Sequence, residues 1–207
     1  FAISGFDIVQ SAHDIVDENG NNKVVCNFSD KEVYSSVQAV GLYFLEEITQ
    51  SVCNKLFNKE FIKNIKFDSE LSIGEDSKFV YEACKAAKAI KLVSKTTYHY
   101  FTRSNSSLNK ALTEKHFAPF KLFDVQAEEQ KNNKELYEMC KKRNMGYSFY
   151  LIKLVLRNGG DSKSLKRLRA QIMADRKILL KSKYCLPKHK LGIIALWLAP
   201  WLFYKMF

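Results

Sequence analysis

Two acidic residues on a glycine turn, Gly74-Glu75-Asp76, precede a run with apolar positions at helical spacing: Phe79, Val80, Ala83, Ala87 and Ile90. A carboxylate in the first turn of a helix is held rigidly and stays ionised, because the free N–H groups and the helix dipole favour negative charge. Such a group suits a general base that takes a proton from an attacking hydroxyl. Position assigns that role to Asp76, with Gly74 allowing the turn and Glu75 bracing the loop. The same pair has a plainer reading, since acidic residues ahead of a helix commonly cap it.

A second cluster reads Tyr98-His99-Tyr100-Phe101-Thr102-Arg103, then Ser106-Ser107-Leu108-Asn109. On a strand, Tyr98 and Tyr100 share one face and His99 takes the other. The planar fork of Arg103 suits phosphate oxygens. Ser106 and Ser107 add hydroxyl donors that could stabilise developing negative charge. The alternative is an edge strand with two core tyrosines and a solvated loop. Upstream, Asn54-Lys55-Leu56 offers an amide and an ammonium; Lys55 is a candidate contact to acceptor or phosphate, or simply a solvated lysine. The four histidines, 13, 99, 116 and 189, are scattered, and His99 suits a surface or structural role better than a metal site.

The elements that position these residues follow from periodicity. Phe1 to Val9 reads as a strand, Asp17 to Asn22 as a turn centred on Asn19-Gly20, and Lys23 to Phe28 as the return strand of a hairpin. Ser29 and Glu32 form a capping-box pattern ahead of Val33, Val37, Val40, Leu42 and Leu45, which predicts a helix. A helical turn is expected at Lys59 to Ile62, a helix over 76–89, and short strands at 90–93 and 96–101. Residues 114–144 read as one or two helices interrupted near Pro119. Asn158-Gly159-Gly160-Asp161 is a break. Residues 164–184 read as one basic amphipathic helix with Leu165, Leu168, Ile172 and Leu179 inward.

The 207 residues are 46% hydrophobic, enough for an ordinary core, and carry a net charge of +11. Between Lys141 and Lys190 stand fifteen Lys/Arg against Asp161 and Asp175, a net +13 that leaves −2 elsewhere. Such a segment attracts phosphates on nucleic acid or on a bilayer. Five cysteines, an odd number without Cys-x-x-Cys, argue against a disulfide framework or zinc site and for a reduced setting. Leu191 to Tyr204 has no charged residue. It is short of the ~20 residues of a spanning helix. Trp197, Trp201 and Tyr204 favour a membrane interface, with Lys181, Lys183, Lys188 and Lys190 upstream for anionic headgroups. A helix in or on one leaflet is expected, with a buried core helix as the alternative.

Gly-Glu-Asp followed by apolar Phe79, the Tyr98-x-Tyr100, Arg103, Ser and Asn109 series, and Asn54-Lys55-Leu56 together resemble the family 2 glycosyltransferases of bacterial capsule, exopolysaccharide and lipopolysaccharide synthesis. The resemblance covers residues 1–109. It implies an α/β fold, with a partial GT-A, Rossmann-like domain over 1–110 holding the acceptor side; beyond it, charge and apolar patterning give a helical basic extension over 111–190 and an apolar membrane-associating tail over 191–207. It implies inverting transfer from a nucleotide-sugar donor to a saccharide or lipid-linked saccharide acceptor, with Mg²⁺ or Mn²⁺. Asp76 would be the base and Glu75 its support. Arg103, Ser106, Ser107 and Tyr100 would meet the donor diphosphate, and Lys55 and Asn54 the acceptor. The family's Asp-x-Asp metal motif does not occur, and Asp14-Ile15-Val16-Asp17 has the wrong spacing.

The chain starts at Phe1 without a signal-peptide pattern and is expected to be the later part of a longer enzyme, inactive alone, on the cytoplasmic face of the membrane. A non-catalytic membrane-associated remnant or partner subunit is the rival. A nucleic-acid module ranks below both, because no binding motif interleaves the basic residues, and no nucleic-acid partner is expected.

Overall fold

The computed structural model describes residues 5–102 and 112–205, apart from the side chains of Leu202 and Lys205. The chain is α/β at its start and helical thereafter, and it divides into two compact units, Phe1–Asn109 and Lys110–Phe207.

The first unit is organised on β1 (Ile8–Val16), which pairs in parallel with β5 (Ile90–Phe101). Along the other edge of β1 lie two antiparallel partners, β2 (Asn22–Val25) beside His13–Val16 and β4 (Lys55–Phe57) beside Ile8–Gln10. The outer edge of β5 carries β3 (Lys31–Val33). Ile8 to Ala12 are all buried, which suits a strand covered on both faces.

The β1–β2 hairpin forms as its turn residues dictate. The Asp17 carboxylate accepts from the backbone N–H of Asn19 and of Asn21, both at 2.9 Å, and Gly20 takes φ 79°. The strand, however, runs on from Ile8 to Val16 instead of ending at Val9.

The capping-box reading of Ser29 to Glu32 is corrected. These residues lead into β3, where Glu32 and Val33 pair with Lys91 and Ile90. Asp30 accepts from Ser94 N–H at 2.6 Å, and Glu32 meets Lys91 at 3.2 Å. Ladder bonds and the burial of Val33 outweigh the local capping preference. The helix α1 (Ser36–Phe44) starts later, capped by Ser35.

Residues 90–101 form one strand, with register shifts opposite Ser11, Ala12 and His13. Bulges of this kind re-aim side chains. Here Tyr98 and Tyr100 fall beside His13 and Ile15.

Helix α2 is Lys59–Ile62 and α3 is Glu75–Ala86. α3 buries Phe79, Val80, Ala83 and Cys84 and packs on α1. Tyr43, Phe44 and Tyr81 form an aromatic trio with centroids 5.5–5.7 Å apart, and the Tyr43 hydroxyl donates to Ser77 O at 2.9 Å. Each such ring is worth roughly 2–3 kcal/mol of apolar burial.

The second unit starts with a 3-10 turn, Glu114–Phe117, then α4 (Ala118–Gln130) and α5 (Lys134–Arg157). Pro119 marks only the change from 3-10 to α geometry. The interruption between the helices falls at 131–133, where Asn133 caps Leu136 N–H at 3.2 Å. The single basic helix expected over 164–184 is two, α6 (Ser162–Ala174) and α7 (Arg176–Lys181), parted at Asp175. Its inward residues Leu165, Leu168, Ile172 and Leu179 are all buried.

The apolar end forms α8 (Pro187–Leu198) and α9 (Pro200–Lys205). Ile193, Leu196 and Phe203 join Phe120, Phe123, Leu151 and Ile172 in the core of this unit. Among the described residues no helix is long and apolar enough to cross a membrane.

Candidate functional site

The loop from Leu45 to Asn54, between α1 and β4, forms the wall of a cleft in the first unit. It begins at the end of α1, where Glu47 N–H reaches Leu42 O and Glu46 N–H reaches Tyr43 O. This is a Schellman termination, which needs a left-handed residue where Glu46 stands at φ 67°.

Gln10, fully buried on β1, secures the next segment. Its Nε2 donates to Glu47 O at 2.7 Å, and its Oε1 accepts from Thr49 N–H at 2.8 Å. Asn54 then exchanges two bonds with Ser11, giving its amide to Ser11 O at 2.6 Å while its own carbonyl takes Ser11 N–H at 3.0 Å.

The Lys55 ammonium is buried beneath the same loop. It donates to Thr49 O (2.8 Å), Thr49 Oγ1 (2.6 Å) and Ser51 O (2.6 Å), with Asn54 Oδ1 at 3.3 Å. Burial pushes Lys55 down to about 7, against the opposing pull of Cys84, Asp76 and Cys53. Lys55 is therefore not a solvated surface lysine; its donors are spent on the shape of the loop.

Asp76 stands in the first turn of α3, after Gly74 at φ 95°, as the glycine turn predicts. Its Oδ2 accepts from Ser51 Oγ and Val52 N–H, each at 3.3 Å. These are long bonds. Glu75 opens the helix beside it, and both residues are half-buried.

The cleft holds about 400 Å³ and is lined by His13, Glu46, Ser51, Asn54, Tyr98 and Tyr100 among others. A hollow of about 330 Å³ shares Cys53, Asn54 and Tyr98 with it. The first lies toward the carboxyl half of the β1–β5 parallel pair, the end where open α/β sheets bind ligands, while the second reaches back to Val9 and Ser11. Asp76 is not in the lining and meets the cleft through Ser51.

His13 is held below its ordinary 6.5 by burial and by the Lys55 charge, with Asp14 opposing, so its imidazole is neutral at pH 7 and can accept a hydrogen bond. The Cys53 thiol beside Tyr98 pushes that phenol up. On the opposite face of the sheet, His99 Nδ1 and Asp14 Oδ1 lie 2.6 Å apart, and Asn22 donates to Asp14 Oδ2 at 2.7 Å. Burial alone would raise Asp14, yet His99 and Asn22 hold its carboxyl below the usual range. His99 thus sits away from the tyrosines and serves a strand-to-strand contact.

Of the residues singled out in the sequence, Asn54, Lys55, Tyr98, Tyr100 and Asp76 fall in or against this loop and cleft, while Glu75 stands beside Asp76 outside the lining. Arg103, Ser106, Ser107 and Asn109 lie outside the described residues. Gln10, His13, Glu46, Thr49 and Cys53 were not picked out. Gln10 had a visible signal, a long amide within an apolar strand. The others had none, because the loop that gathers them has no periodicity. No group of three or more His, Cys, Asp or Glu among the described residues is placed to hold a metal ion.

No protein-family profile matches the chain. Over 55 residues it is 38% identical to a Bacillus subtilis (strain 168) protein named minor teichoic acid biosynthesis protein GgaB. That stretch is 27% of this chain and 6% of the relative, so the chain spans a small fraction of the protein it matches. The similarity links part of the chain to a protein of surface-polymer synthesis.

Proposed function

We propose that this chain is part of a glycosyltransferase of surface-polymer synthesis, and that its first unit carries the acceptor side of an inverting, GT-A-like site of family 2 type. The observation that carries the reading is the tie between the Asp76 carboxylate and Ser51, in the wall of a tyrosine-lined cleft. The similarity to a teichoic acid biosynthesis protein supports it.

In this reading a saccharide or lipid-linked saccharide enters the cleft. The apolar faces of its rings lie against Tyr98 and Tyr100, and its hydroxyls meet neutral His13 and Asn54. Asp76 takes the proton from the attacking hydroxyl after exchanging its long bond to Ser51, with Glu75 bracing the turn. Lys55 acts through the loop it holds. Arg103, Ser106 and Ser107, with Tyr100, would meet the diphosphate of a nucleotide-sugar donor. The divalent cation that neutralises such a leaving group has no donor set among the described residues, and we assign it to residues elsewhere in the enzyme.

The test is transfer or hydrolysis of nucleotide sugars by the complete reading frame with Mg²⁺ or Mn²⁺, beside Asp76→Asn. Loss of a general base costs about 10²–10⁴-fold, so activity should fall by that range while the protein stays folded. Full activity in the variant would remove Asp76 from the reaction, and no turnover with any donor would count against the transferase.

A further inference from the structure

Helix α8 is apolar on two faces, and among the described residues one of them is buried and the other exposed. Ile193 and Leu196 enter the core of the helical unit. Leu191 and Leu198 are each 68% exposed, Trp201 of α9 is 64% exposed, and Trp197 and Ile194 are 47% and 38% exposed. At about 100° per residue, Leu191, Ile194 and Leu198 fall on one stripe, on the side of the helix away from Ile193 and Leu196.

The surroundings of the stripe are basic. Lys188 and Lys190 flank its start. The Arg176 guanidinium lies 5.5 Å from the Trp197 ring, and Arg169 donates to Leu196 O and Trp197 O at 3.0 and 3.2 Å. From Arg176 to Phe207 the sequence contains no Asp or Glu.

We propose that this surface seats the helical unit on an anionic bilayer leaflet, with α8 lying in the interfacial plane. Leu191, Ile194 and Leu198 would face the acyl boundary, Trp197 and Trp201 the headgroup level, and the lysines and arginines the lipid phosphates. Charge selects this occupant over a second copy of the chain, because the basic rim repels its like and attracts anionic headgroups. Geometry excludes a crossing by this helix. Its twelve residues extend roughly 18 Å against a hydrocarbon core of about 30 Å, and its other face is committed to the protein core. The surface stands on these observations and does not depend on the transferase reading.

The two tryptophans of the chain are Trp197 and Trp201, so intrinsic fluorescence reports this surface directly. The experiment adds phosphatidylcholine vesicles, with or without phosphatidylglycerol, to the full chain and follows emission and flotation at low and high salt. Expected are a blue shift and flotation with the anionic vesicles, both reduced by salt. Lys188→Glu/Lys190→Glu, with an unchanged circular dichroism spectrum, should weaken binding at least roughly tenfold. Leu198→Glu provides a second variant on the apolar stripe with the same expectation. Absence of a shift with anionic vesicles would overturn the proposal. So would equal, salt-independent binding to neutral vesicles, or a solution oligomer whose tryptophans are already shielded and which ignores vesicles.

Discussion

Lys55 is surrounded by oxygens and yet titrates near 7, because the loss of water around its ammonium outweighs the attraction of Cys84, Asp76 and Cys53. In the unfolded chain the same group keeps its proton to about 10.5. Between these values the unfolded state binds more protons than the folded one, so the contribution of Lys55 to stability rises with pH across that window. Below about 7 the cost of the buried charge is present in full. The stability of the protein relative to Lys55→Met should therefore increase from pH 7 toward pH 10 in urea titrations. A difference independent of pH would show that Lys55 keeps its proton throughout.

Glu46 presents a different residue-scale balance. A left-handed conformation costs an L-residue roughly 1–2 kcal/mol that glycine does not incur. Glu46→Gly should therefore raise unfolding stability by about 1 kcal/mol. Strained positions concentrate at functional sites, and Glu46 lines the cleft. A stabilised variant with reduced acceptor use would place the carboxylate in substrate binding. Unchanged activity would leave it as a loop residue only.

At the scale of elements, Asp14 joins three strands: it sits on β1, pairs with His99 on β5 and accepts from Asn22 on β2. Its folded pKa is depressed from 3.8, so its stabilisation is present above that value and is lost as pH falls through the folded one. Asp14→Asn should lower the melting temperature at neutral pH and make the acid side of the stability profile flatter.

The break between α6 and α7 has a comparable tie. Asp175 meets Lys141 of α5 at 3.2 Å, with both side chains largely covered. Burial alone would lower Lys141, but Asp175 raises it, so this pair contributes at pH values below 10.5 and fades as pH rises through the folded value of Lys141. Asp175→Asn leaves a covered ammonium without its counter-charge and should cost about 1–3 kcal/mol in chemical denaturation.

Across the whole molecule, each of the two units has its own core, and the uneven charge sits in the second. Residues 110–207 expressed alone should give a strongly helical circular dichroism spectrum and a cooperative melt, since Phe120, Phe123, Leu151, Leu168, Ile172, Ile193, Leu196 and Phe203 all bury within that unit. A non-cooperative melt would show that this core needs the rest of the chain.

Sequence alone determined the features whose causes are local. These are the Asp17–Asn22 turn, the glycine turn that starts α3 at Glu75 and Asp76, the inward Phe79, Val80 and Ala83 of α3 (though not Ala87 and Ile90, which lie beyond its end) and Leu165, Leu168 and Ile172 of α6, the break at Asn158-Gly159-Gly160, and an α/β region followed by a basic helical one. Each depends on residues a few positions apart, through capping, turn geometry or helical spacing. Tertiary structure decided what depends on distant partners. Ser29–Glu32 leads into a strand because β5 offers an open edge. Lys55 and Asn54 build the loop, as does Gln10, because Ser11, Thr49 and Ser51 are brought to them. The apolar end divides into a buried and an exposed face because only one side of α8 meets the core, a choice that composition without neighbours cannot make.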